Sequence, residues 1–114
     1  MDIEAIYNQA FQLRCDGRYS EALPLFQRIL QLDPAHVGAR HQIGLIEGFT
    51  GDFDASLATL QTLSQQYPNN LDVLYDFAMT QMMLGMFDEA CANIRKILSI
   101  NPSHQKALEQ SSYC

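Results

Sequence analysis

Four of the five methionines fall within eight residues, at Met79, Met82, Met83 and Met86. The spacing i, i+3, i+4, i+7 puts thioethers on one helix face, which permits three readings: a soft-metal site for Cu(I), a core stripe, or an adaptable apolar surface. The metal reading would need Met86 to fold back, because Gly85 precedes it and can turn the chain. The histidines, His36, His41 and His104, include no i, i+4 pair of the kind that holds zinc on a helix. They read as surface or edge residues. The glycine-rich run GLIEGFTGD (44–52) lacks both the Lys-Ser/Thr of a phosphate loop and the GxGxxG spacing. Cys15, Cys91 and Cys114 form no CxxC pair, and they read as two half-buried thiols and one free terminal thiol. No acid/base pair or nucleophile constellation stands out. The expectation is therefore no catalytic residue, no cofactor, no metal and no enzyme.

Composition narrows the classes further. A chain of 114 residues is one domain's worth, and 47% apolar residues with 18% charged ones describe a folded chain rather than a disordered one. Thirteen acidic groups against seven basic ones give a net charge of -6, so the phosphate-neutralising stripe of a nucleic-acid binder is missing. The first residues, MDIEAIYNQ, contain no long apolar run, which speaks against a signal peptide or a membrane span and for a cytoplasmic chain.

The chain repeats itself. Gly17, Gly51 and Gly85 are spaced by 34, and so are Pro34, Pro68 and Pro102. GRYSEAL, GDFDASL and GMFDEAC align without gaps, each with an aromatic at Tyr19, Phe53 or Phe87 and a small residue at Ala22, Ser56 or Ala90. Amphipathic periodicity predicts helices over 3–15, 37–49 and 71–84, each stopped by a glycine suited to a left-handed turn. A second set is predicted over 19–32, 53–66 and 87–100, opened by acids or hydroxyls and closed before a proline. Apolar positions of the second helices keep the period, with Leu23, Phe26, Ile29 and Leu30 recurring as Leu57, Leu60, Leu63 and Ser64, then as Cys91, Ile94, Ile97 and Leu98. One hairpin cannot bury such a face, so neighbouring copies must stack. Pro24, inside a predicted helix, is the irregularity of copy one.

These residues resemble the tetratricopeptide repeat (TPR) family, whose 34-residue unit follows W-x2-L-G-x2-Y, A-x3-F and P. Ala22, Phe26 and Pro34 fit it in copy one, Ile43, Gly44 and Pro68 in copy two, and Phe77, Ala78, Ala90, Ile94 and Pro102 in copy three. Ile6, Arg40 and Leu74 stand at the tryptophan, and Leu13, Glu47 and Gln81 at the tyrosine. The resemblance implies an all-α solenoid of three helix-turn-helix hairpins, repeats 3–36, 37–70 and 71–104. A capping or truncated helix would follow over 105–114, in a single domain spanning 1–114.

The family resemblance further implies a concave groove lined by the first helices, holding an extended or helical segment of a protein partner. Ile6, Ala10 and Leu13, then Ile43, Gly44 and Ile46, then Leu74, Phe77 and Ala78 are assigned to stacking. What remains is a second stripe: Tyr7, Phe11 and Cys15; His41, Leu45 and Phe49; Tyr75, Met79, Met82 and Met83. An apolar stripe at this spacing also describes a core, and the two readings differ in exposure. Glu4, Arg14, Arg40 and Asp72 are expected at its rim. The stripe offers no lysine, so a free acidic C-terminus is not the expected ligand. An apolar or amphipathic peptide segment is. The alternatives are a self-assembling scaffold, with a second copy as partner, and an N-terminal regulatory TPR domain of a longer enzyme.

Overall fold

The computed structural model describes residues 2–114. Among them are seven helices and no strand: α1 (Ile3–Cys15), α2 (Tyr19–Leu32), α3 (Val37–Phe49), α4 (Phe53–Gln66), α5 (Leu71–Met83), α6 (Phe87–Ile100) and α7 (Gln105–Ser111). Each predicted first-helix/second-helix pair is present, and two boundaries move: α5 stops at Met83, with Leu84 as its cap, and the C-terminal helix expected over 105–114 ends at Ser111, with Ser112 as its cap. Gly17, Gly51 and Gly85 have φ of 77°, 96° and 78°, the left-handed conformation that reverses the chain between paired helices. Pro24 lies inside α2 without ending it.

The residue after each proline-containing loop starts the next helix by capping it. His36 Nδ1 accepts from the Ala39 amide at 2.9 Å, the Asn70 side chain from Val73 at 3.2 Å and His104 Nδ1 from Ala107 at 3.1 Å. These positions are 34 apart, so the repeat reaches down to single hydrogen bonds. The expectation of surface histidines is thereby sharpened: His36 and His104 are half-buried caps.

Contacts divide the chain into two compact units, one ending at Thr59 and the other Leu60–Cys114, with α4 running through the division. In the first, α1, α2 and α3 pack on one another around Ile6, Ala10, Ala22, Phe26, Ile29, Ala39 and Ile46. In the second, α5 packs on α6 and α6 on α7 around Leu74, Ala78, Ala90, Ile94, Ile97 and Ala107. Small residues at Ala10, Ala22, Ala78 and Ala90 are fully covered, which brings the helix backbones close together.

The cysteine expectation is corrected. Cys91, on α6, and Cys114 are joined by a disulfide with a Cα–Cα distance of 5.7 Å, and Cys15 is an exposed free thiol. The bridge closes a sequence separation of 23, with no local motif to announce it. Two repeat lengths earlier, the positions of Cys91 and Cys114 are held by Leu23 and Ile46, which belong to one hydrophobic cluster. A covalent bond thus takes the place of an apolar contact at the end of a seven-residue helix.

Candidate functional site

Hairpin geometry explains the residues at the family's tyrosine position. Thr59, on α4, donates to the Glu47 carboxylate on α3 at 2.8 Å, and Asn93, on α6, donates to Gln81 on α5 at 2.8 Å. Glu47 and Gln81 are 34 apart, as are Thr59 and Asn93. Copy one has Leu13 and Leu25 there, both packed on the first core. Each pair matches across its hairpin, polar with polar or apolar with apolar, so Gln81 is buried with its oxygen satisfied.

With those positions absorbed by the hairpins, the ten stripe residues can be placed. None is buried, whereas Ile6, Ala10, Gly44, Ile46, Leu74, Phe77 and Ala78 of the stacking set are; Leu13 and Ile43 of that set are only half-buried. In the first unit, Tyr7 stacks on Phe11 with centroids 6.0 Å apart, meets Phe26 edge-on and lies against His36. Gly38 leaves the room: a Cβ there would sit 3.0 Å from the Tyr7 ring and 3.1 Å from His36. The Arg14 guanidinium lies 4.9 Å from the Phe11 centroid and 5.9 Å from that of Phe49, and Phe49 stacks on Tyr19 at 5.4 Å. Phe11 is 37% exposed and Phe49 52%, Cys15 is exposed beyond Arg14, and His41 and Leu45 are half-buried.

Arg14 was expected at the rim, but it lies between rings. Its Nε is buried with no hydrogen-bond acceptor among the described residues. Gln42, which the sequence reading passed over, is buried with its Oε1 likewise unpartnered, while its side chain hydrogen-bonds Tyr7. Desolvation by burial raises the Tyr7 phenol above its ordinary pKa, while the Gln42 bond and the Arg14 charge pull it down. A donor without an acceptor and an acceptor without a donor therefore flank one tyrosine. That polar pattern could not be read from helical spacing, because it joins α1 to α3.

The second unit is built on the same register. Tyr75 lies 6.0 Å from the His104 ring, with Lys106 Nζ 5.6 Å above its face. Burial raises the Tyr75 phenol, its hydrogen bond to Gln110 lowers it, and Asp76 and Glu109 raise it further. Met79 and Met82 are half-buried and pack on the second core, so half of their role is structural. Met83 is 64% exposed. Met86 precedes α6 as its N-cap residue, outside the stripe. Among the described residues, no group of three or more His, Cys, Asp and Glu side chains could hold a metal ion.

A tetratricopeptide repeat family model matches residues 50–110, more than half of the chain, and a second model of the same repeat matches residues 3–36. Solved structures share the fold. MamA from Desulfovibrio magneticus RS-1 (41-end) superposes with a TM-score of 0.81 at 19% identity, over 98% of this chain and 63% of that one. YrrB, described as a TPR protein with an unusual peptide-binding site, gives 0.83 at 24% identity, over 98% of this chain and 58% of that one. PcrH, solved in complex with the chaperone binding region of PopB, gives 0.81 at 18% identity, over 97% and 92%. The chain thus spans less than two thirds of the MamA and YrrB chains. With the 34-residue spacing of its glycines, prolines and caps, and with both family models on the same repeat, the chain belongs to the tetratricopeptide repeat family.

Proposed function

We propose that this protein is a non-enzymatic interaction module that binds an apolar or amphipathic peptide segment of a partner along the first-helix stripe. The observation that carries this reading is the state of the stripe in the first unit. Phe11 and Phe49 stay open while a half-buried guanidinium between them has no hydrogen-bond acceptor for its Nε. Tertiary packing normally covers such rings and satisfies such a donor. A peptide supplies both missing parts, since its side chains cover rings and its carbonyls accept from arginine. Exposed Met83 adds a side chain that adapts to different shapes, as thioethers do. Peptide-bound or peptide-binding relatives of this fold, PcrH and YrrB, support the same reading.

No observation favours the scaffold or enzyme-domain alternatives over this one. As to compartment, no helix among the described residues is long and apolar enough to cross a membrane. A cytoplasmic setting would keep Cys91 and Cys114 as thiols, and an oxidising one would keep the bridge. The functional test is copurification from native lysate with the chain and with a Phe11→Ser, Phe49→Ser, Met83→Gln variant. The expected result is a partner retained by the first and lost by the second, with the thermal midpoint within a few degrees. A partner retained equally by both would place its binding elsewhere.

A further inference from the structure

Between α1 and α3 the first unit holds a polar arrangement that covering its rings does not explain. Gln42, on α3, is 6% exposed and hydrogen-bonds the Tyr7 phenol. That bond pulls the phenol's pKa down, so the amide nitrogen donates it, and Oε1 is left as a buried acceptor without a donor among the described residues. Arg14, on α1, is the converse: its buried Nε–H has no acceptor. Both border one pair of rings, since Gln42 bonds Tyr7, Arg14 lies on Phe11, and the two rings stack 6.0 Å apart. The tyrosine–glutamine bond belongs to the repeat, because Gln110 bonds Tyr75 two repeats later. The added donor does not, because Met82 stands there at the place of Arg14.

Buried polar groups are normally paired, and chemistry limits what can pair these two. A carboxylate accepts from Arg14 but sets acceptor against acceptor at Gln42; an ammonium donates to Gln42 but sets donor against donor at Arg14. An amide carries one of each. A helical segment has spent its main-chain amides on itself except at its ends, so it covers Phe11 and Phe49 without answering either atom. An extended segment keeps them free, and its polar groups recur along one edge about every 6.6 Å, the scale of the Tyr7 and Phe11 stack.

We propose that Arg14 and Gln42 form an amide-reading subsite for the main chain of an extended peptide, Arg14 donating to a carbonyl and Gln42 accepting from an N–H. The subsite rests on the peptide-binding reading of the stripe and fixes the conformation which that reading leaves open. Ring faces hold the guanidinium, and those rings are themselves 37% and 52% exposed, so side-chain rotation admits the strand.

The test uses the full chain and two end-capped synthetic peptides: an extended one of alternating leucine and threonine, and a hydrocarbon-stapled helix of leucine and alanine. Calorimetry gives the affinities, and the Arg14 Nε–H and Gln42 side-chain amide resonances report the contacts. The extended peptide should bind, move the Arg14 Nε–H resonance and slow its exchange with solvent, and the helix should bind about tenfold more weakly. Replacing the main-chain amides of the extended peptide by esters, one at a time, should weaken binding about three- to tenfold at one or two positions, as loss of a single hydrogen bond does. Gln42→Met, checked for folding by circular dichroism, should remove the sensitivity to the ester that lost its N–H. Tighter binding of the helix with shifts at Phe11 and Phe49, or equal tolerance of every ester, would overturn the subsite and leave the peptide reading standing. Ester tolerance with a gain on inserting one asparagine would assign the amide to a side chain instead. No binding of either peptide at millimolar concentration would overturn both.

Discussion

The methionine run at 79–86 is three different things at the scale of residues. Met79 and Met82 pack on the core of the second unit, Met83 stands open, and Met86 leads into α6. Polar substitution should separate them. We expect Met79→Gln to cost about 1–2 kcal/mol in urea unfolding, as burying a polar end on a partly covered core site does, and Met83→Gln to stay within about 0.5 kcal/mol. Equal costs at both sites would show that the exposure difference has no energetic content. The two tyrosines make a second residue-scale expectation. Burial raises both phenols above the ordinary value, so the folded state holds the proton more tightly than the unfolded chain does. Their contribution is fully present below the unfolded pKa of about 10 and is lost as pH rises through the folded value. Denaturant midpoints should therefore be flat in this respect up to pH 9 and fall above pH 10, with a smaller fall in Tyr7→Phe.

At the scale of elements, turns and caps carry the repeat. Gly85 has φ of 78° and nothing within 4 Å of where a Cβ would stand, so Gly85→Ala tests backbone strain without a clash. A loss of about 1 kcal/mol is expected from the left-handed conformation. No loss would mean that the turn relaxes to another geometry. His104→Ala should cost a similar amount, about 1 kcal/mol, by removing the acceptor for the Ala107 amide, and His104→Asn should restore most of it, since Asn70 already does that work one repeat earlier. Helices were legible in the sequence because they are punctuated by glycine and proline and filled by one amphipathic period. What escaped was everything that joins distant positions. Tyr19 on Phe49, Arg14 between two rings and Gln42 under Tyr7 each link helices across a stretch that periodicity does not describe.

For the whole molecule, the disulfide is the feature that periodicity concealed, since Cys91 looks like one more core position of the second helices. Closing a loop of this length in the unfolded chain is worth about 3 kcal/mol in the chain-entropy account. Cys114→Ser should lower stability by up to about that amount in oxidising buffer and by almost nothing with reductant present; equal stability in oxidising buffer would show that the bridge is not formed in solution. Burial along the first helices was legible in part: most stacking positions are buried, but Leu13 and Ile43 are half-buried, as Tyr7, His41 and Leu45 of the proposed stripe are. The spacing left a core role open for the methionines, and Met79 and Met82 take it in part. The exposure of the Phe87 ring, at a turn, has no signal in the helical period.

The central claim is that the first-helix stripe is where a partner peptide lies. Its most direct test is site-specific photo-crosslinking in native lysate, with a benzophenone side chain placed in turn at Phe11, Phe49, Met83 and, off the stripe, at exposed Leu32 on α2. The expected result is one crosslinked partner shared by the three stripe positions and absent from Leu32. A partner that crosslinks at Leu32 and at none of the stripe positions would contradict it.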